Sequence, residues 1–288
     1  MSDRPIDAGA PFWQAPLRST VIWALLAVVL SLFMPTRALA ASGVAAPGEQ
    51  QPGITPRAYL PIIFSSPEYA CPVTSGAQFG AIPVPPPPTD RPAAQHADLN
   101  LALRSYKTGR GFLGLVDYSG GTDPDAPQLG QIFGAGHVYT VTGVYQVYDW
   151  NWPANCRAGL IADPPVTLIA LATKPGEVVR IPSRGADIYQ GTYRALVLYA
   201  EERRITLKYT REDRVVAGYT VHLENVCVDP NLLELYRESD SRGRASLPAL
   251  RNGETLGVAA EGEILVAIRD AGSFMDPRSR KDWWRTVP

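Results

Sequence analysis

Histidine and cysteine are scarce in this 288-residue chain. There are three of each: His96, His137 and His222, and Cys71, Cys156 and Cys227. So few imidazoles narrow the chemistry available. A histidine followed four residues later by aspartate does not occur, because Asn100, Val141 and Val226 stand at those positions. Two histidines flanking one residue do not occur either, because Asp98, Tyr139 and Glu224 follow at the second place. A serine nucleophile needs a histidine base and an orienting acid, and G-x-S-x-G is absent. Neither a phosphate-binding Walker loop nor G-x-G-x-x-G is present. The cysteine spacing matches no zinc ribbon and no C-x-x-C redox pair. Nothing in the sequence asks for a cofactor. A formal net charge of −1 leaves no basic face for nucleic acid, which requires cations to neutralise phosphates. It gives no electrostatic reason to bind an anionic membrane.

The N-terminus carries a targeting pattern. Arg4 and Arg18 precede the apolar run Val21–Met34, and Ala38-Leu-Ala40 follows it. The run falls short of the roughly 20 residues that span a bilayer. With a small-residue A-x-A site behind it, the run reads as a secretory signal over residues 1–40, cleaved between Ala40 and Ala41. Only an uncleaved segment would make the chain membrane-associated. Residues 41–58 are small, polar and rich in proline and glycine. They bury too little apolar area to offset ordering entropy, which predicts a linker. All three cysteines lie beyond the signal, in what an export route makes an oxidising compartment. Three cysteines allow one bridge, in three ways. Cys227 directly follows a buried-looking strand, so it is expected in that bridge, with Cys71 or Cys156 as its partner.

The remainder reads as strands and turns, in an N-terminal β region, 59–190, and a C-terminal one, 191–288. Leucines 99, 101 and 103 alternate, which predicts a half-buried strand. Phe112–Tyr118 would return as the second arm of a hairpin. Asp117, Asp123 and Asp125 lack the spacing of a calcium loop and suit a turn. From Val138 to Trp152, the residues Tyr148, Trp150 and Trp152 share one parity. A strand would set these three aromatics in a row, either as core or as a platform for sugar rings. Val166–Ala172 and Glu177–Ile181 are further strands around a Lys-Pro-Gly turn. One helix is expected: Asp229 caps it, Pro230 takes the first position, and Leu232, Leu233, Leu235 and Tyr236 give it an apolar face. Glu201, Glu202, Glu224 and Glu261 are carboxylates of the kind glycosidases use, but nothing in the sequence pairs them.

The C-terminal phrases carry a family likeness. Gly218-Tyr-Thr-Val-His-Leu223, Gly253-Glu-Thr-Leu-Gly257, Ile264–Asp270 and Asp276-Pro277 stand in the order found in lysostaphin-type peptidases. This stretch, Arg194 to Pro277, resembles the M23 metallopeptidase family. The resemblance implies a mainly antiparallel β fold with the helix as an insertion. In the active family, zinc is held by the His and Asp of H-x-x-x-D and the second His of H-x-H. Here the H-x-H place reads Glu263-Ile264-Leu265, and no His or Asp lies between Val166 and Gly176, so the resemblance implies a lost metal site. His222 alone matches a family position, that of a proton-handling histidine, catalytic only if the enzyme is active.

The expectation is therefore a mainly β, exported, non-catalytic binding or structural protein of the cell envelope, holding no metal or cofactor. Its partner would be a cell-wall glycan or peptidoglycan, contacted by Tyr148, Trp150 and Trp152. The alternative is an active M23-like peptidase, or another cell-wall hydrolase with an atypical site.

Overall fold

A computed structural model describes residues 69–287, which belong to one compact unit spanning 62–288. The expected signal and linker lie outside the described residues.

The chain opens with β1 (Gly80–Pro83), a single helical turn α1 (Leu101–Arg104), β2 (Tyr106–Thr108), β3 (Val141–Asn151), β4 (Cys156–Leu160), β5 (Leu168–Ala172) and β6 (Val178–Arg180). It continues through β7 (Tyr193–Glu201), β8 (Arg204–Lys208), β9 (Tyr219–Glu224), β10 (Val226–Val228) and helix α2 (Pro230–Ser241). It closes with β11 (Ser246–Arg251), β12 (Thr255–Ala259), β13 (Glu263–Asp270), β14 (Ser273–Met275) and a short α3 (Arg280–Trp283). The fold is mainly antiparallel β, as the sequence implies. The large sheet runs β1-β11-β7-β8-β9-β13-β5-β3-β2, with β14 beside β13 and β4 beside β3. A small sheet runs β10-β12-β6. Strands from both halves of the sequence interleave: β1 pairs with β11, and β5 with β13.

The central strands bury both faces, because each face meets its own layer. Ile205, Leu207, Val221, Leu223, Ile264, Val266, Ile268, Ile169 and Leu171 fall on one face and enter the main hydrophobic core. Helix α2 covers part of the sheet with Leu232, Leu233 and Tyr236. Its start is as the sequence predicts: the Asp229 side chain accepts from Asn231 N at 2.9 Å, and Pro230 follows.

Two local expectations are corrected. Leu99–Arg104 is not a strand. The Asn100 side chain accepts from Ala102 N at 3.2 Å and starts one helical turn. That turn drives Leu101 and Arg104, three residues apart, into the interior together. The partner arm Phe112–Tyr118 forms no strand and makes one isolated β-bridge, Val116 to Ser279. At Asn225, a φ of 61° ends β9 and redirects the chain into the small sheet as β10. Asn tolerates this left-handed conformation better than most residues.

The bridge joins Cys71 to Cys227, and Cys156 is free and exposed. Gly257 makes the β10–β12 pairing around Cys227 feasible. A Cβ there would lie 1.9 Å from the Cys227 carbonyl oxygen, at a φ of 153°.

Candidate functional site

The second face of the large sheet is unusually polar. Pairing in register brings Thr206, His222 and Ala267 into one row, with Lys208, Thr220 and Arg269 on one side and Arg204, Glu224 and Leu265 on the other. Most of this face is buried, so each polar group needs a partner or a neutral state.

A covering segment, residues 96–105, supplies partners to two of them, Thr206 and Arg269. Thr206 Oγ1 donates to Leu99 O at 2.7 Å and lies 3.0 Å from His222 Nδ1. One carboxylate oxygen of Asp98 accepts from Arg104 at 2.7 Å and from Arg269 at 2.8 Å. The Phe274 ring lies beneath both guanidiniums, 5.7 Å from that of Arg104 and 4.6 Å from that of Arg269. Burial pushes the Asp98 carboxyl up, but the Arg269 and Arg104 charges outweigh it and hold the carboxyl below its usual value. Burial pulls the Arg269 guanidinium down, against the opposing pull of Asp98. His222 is pushed down to about 3, first by burial and then by the Arg269 charge, so its imidazole is neutral. Its Nε2 is sealed and unpartnered. Lys208 is brought down to about 8 by burial, with its ammonium donating to the carbonyls of Ala217 and Gly218.

These residues do not fit the zinc that the resemblance implies. Such a centre takes three or four N, O or S donors. His222 Nε2 could be one. The place of the second zinc histidine holds Leu265, buried and opposite Ala170. Two guanidiniums bear on the same spot and would repel a cation, and the carboxylate of Asp98 is already committed to them. Among the described residues, no group of three His, Cys, Asp or Glu side chains is arranged to hold a metal ion.

The second histidine pairing was not legible in the sequence. His137 Nδ1 lies 2.7 Å from Glu177 Oε1, across 40 residues. The imidazole stacks on Phe133 at 4.1 Å and meets the edge of Tyr139 at 4.9 Å. Burial pushes the Glu177 carboxyl up, but bonds from Thr173 and His137 prevail and hold it below its usual value. The pair lines a cleft of about 730 Å³ between the Gly134–Val138 and Ala172–Lys174 segments. Its chemistry is limited by the other ring nitrogen: His137 Nε2 is sealed from solvent and has no partner. A group that cannot be reached cannot take a substrate proton.

The three expected ligand-binding aromatics lie on the β3–β4 hairpin. Strand parity does not hold them in one row. The register shifts between Tyr148 and Trp150, and β3 ends at Asn151, which leaves Trp152 in the turn. Tyr148 and Trp150 are half-buried, and the Trp150 indole nitrogen is sealed without an acceptor. Trp152 is 37% exposed, with the Arg91 guanidinium 5.1 Å from its ring centre and His96 tilted against it at 5.1 Å.

Compared with protein families, with characterised proteins and with solved structures, this chain matches none.

Proposed function

We propose that this protein is an exported, non-catalytic binding or structural module of the cell envelope. Its scaffold resembles the M23 peptidases, with the metal site replaced by packing. One observation carries the reading: the face around His222 is filled by the Asp98–Arg104–Arg269 cluster under residues 96–105. A neutral histidine sealed beside two guanidiniums is a core residue, not a proton carrier for substrate. Export draws support from the Cys71–Cys227 bridge, since disulfides persist in oxidising compartments. It also draws on the apolar run and A-x-A site at the N-terminus. Among the described residues, no helix is long and apolar enough to cross a membrane.

The alternative of an active cell-wall hydrolase rests on the His137–Glu177 pair in its cleft, and the sealed Nε2 argues against it. The two readings separate in one experiment. The exported protein is incubated with sedimented cell walls, and cosedimentation, wall clearing and bound zinc are measured. The expected result is cosedimentation without clearing and without stoichiometric zinc. One zinc per chain that survives dialysis and is lost in His222→Ala would overturn the non-catalytic reading. So would wall clearing abolished by His137→Ala.

A further inference from the structure

A second cleft, of about 610 Å³, opens between the Tyr118–Ser119 segment, the Asp163–Pro165 loop and the β14–α3 connection. Its size falls in the range of small-ligand sites. One wall is the Tyr118 ring, 42% exposed. That ring is immobilised at its far end, because the hydroxyl donates to Asp276 Oδ2 at 2.7 Å. Asp276 is itself clamped by Arg278, through Nη2 at 2.7 Å and Nε at 3.0 Å. Arg278 also holds the neighbouring loop by donating to Phe112 O at 3.0 Å. The facing walls, Pro164, Pro165 and Met275, are apolar, and the prolines are stiff. The polar groups are unevenly engaged. Lys281 Nζ is occupied by Gly121 O at 2.6 Å and Asp282 at 2.8 Å. Asp163 and the Ser273 hydroxyl, both exposed, have no hydrogen-bond or ion-pair partner among the described residues.

We infer that this cleft binds a neutral saccharide ring, stacked on Tyr118 with its hydroxyls donating to Asp163. The inference deepens the envelope-binding function proposed above and rests on it for the nature of the polymer. A ring face of C–H groups suits the flat, apolar tyrosine, and the tied hydroxyl leaves only that face to offer. A free carboxylate accepts from two neighbouring hydroxyls at once. The only ammonium in the cleft is already spent, which disfavours an anionic ligand. An ammonium ligand would gain little from one water-exposed carboxylate, and it would leave the apolar walls unused. Tyrosine and prolines fixed in advance reduce the ordering cost of binding. The Trp150 and Trp152 faces lack this: one is half-buried, and the other is covered by Arg91 and His96.

The test is saturation-transfer NMR on the full chain, with chitotriose as probe and butylammonium as the charged comparison. Wild type is expected to transfer saturation to the sugar ring protons. Affinity is expected to fall at least tenfold in Tyr118→Ala and in Asp163→Asn, and to stay within twofold in Trp152→Ala. Circular dichroism melts establish that each variant is folded, and Asp163→Asn alters a partnerless exposed group. No sugar binding, equal binding by folded Tyr118→Ala and Asp163→Asn, or binding of butylammonium alone would overturn the inference. Cosedimentation with cell walls separates this failure from that of the envelope function. Walls bound equally well by wild type and Tyr118→Ala refute the cleft and leave the envelope reading standing. Chitotriose bound through Tyr118 without wall binding does the reverse.

Discussion

Arg244 grips Asp213 through two hydrogen bonds, Nε to Oδ2 at 2.6 Å and Nη2 to Oδ1 at 2.7 Å, with the aspartate side chain fully buried. The same guanidinium donates to Leu198 O at 2.8 Å in β7 and to Tyr236 Oη at 3.2 Å in α2. It also pairs with Asp240 near the end of α2. One residue thus ties the helix to the sheet beneath it. Removing one partner of a buried pair leaves the other charge uncompensated, which costs about 3–5 kcal/mol. Arg244→Ala should lower stability by that amount in urea unfolding. A loss below about 1 kcal/mol would mean that Asp213 finds another partner or takes up a proton.

The neutral state of His222 gives a pH dependence with a defined sign. In the folded chain its imidazole titrates near 3, against about 6.5 for an unperturbed histidine. Between those values the unfolded chain binds the extra proton and the folded chain does not. The stabilisation is therefore complete above pH 6.5 and declines as pH falls towards 3, by up to about 1.4 kcal/mol per pH unit. Subtracting the unfolding free energies of His222→Gln from those of wild type should isolate this slope. A difference that stays flat over the window would place a charged histidine in the folded state.

Reduction should distinguish the cysteines. Losing the Cys71–Cys227 bridge is expected to cost about 2–5 kcal/mol, seen as a lower melting temperature in reductant. Cys156→Ser, at an exposed position, should change stability by less than about 0.5 kcal/mol. Non-reducing peptide maps should show Cys156 unlinked. A peptide joining Cys156 to Cys227 would contradict the fold around β10.

The hairpin aromatics should differ among themselves. Trp150 is half-buried with a sealed indole nitrogen, whereas Trp152 sits in a turn. Trp150→Ala should approach the roughly 3–5 kcal/mol of a core truncation. Trp152→Ala should cost less, through its lost contacts with Arg91 and His96. Equal melting temperatures for the two variants would show that Trp150 contributes no burial.

Much of the sheet was legible because its strands are long apolar runs bounded by turns. Val166–Ala172 and Glu177–Ile181 become β5 and β6, and Asp229-Pro230 starts α2 where capping chemistry places it. The failures share a cause. Leu99–Arg104 alternates like a strand, yet one side-chain cap at Asn100 and a distant carboxylate-to-guanidinium contact from Asp98 to Arg269 decide it. The polar face was hidden for the same reason. His222, Arg269 and Asp98 are separated by dozens of residues, and only strand register brings them together. His137 and Glu177 meet, and Tyr118 and Asp163 come to line one cleft, across loops whose paths carry no periodic signal. Of the bridge, the sequence indicated Cys227. The choice of Cys71 over Cys156 depends on where β4 and the small sheet lie in space.

The bridge also sets how the protein bears load. Cys71 and Cys227 stand 156 positions apart in sequence and 5.2 Å apart between Cα atoms. Tension entering from the N-terminal side of Cys71 and leaving at the C-terminus would cross the sulfur–sulfur bond directly. Everything from β1 to β9 would then sit outside the force path, as a closed covalent loop that cannot be drawn out. Only the stretch after Cys227, with α2 and β11 to β14, would lengthen under pull. A polymer stacked on Tyr118 and bonded to Asp163 would be gripped by the closed loop, the part that does not lengthen, and reduction of one bond would turn a short extension into a long one.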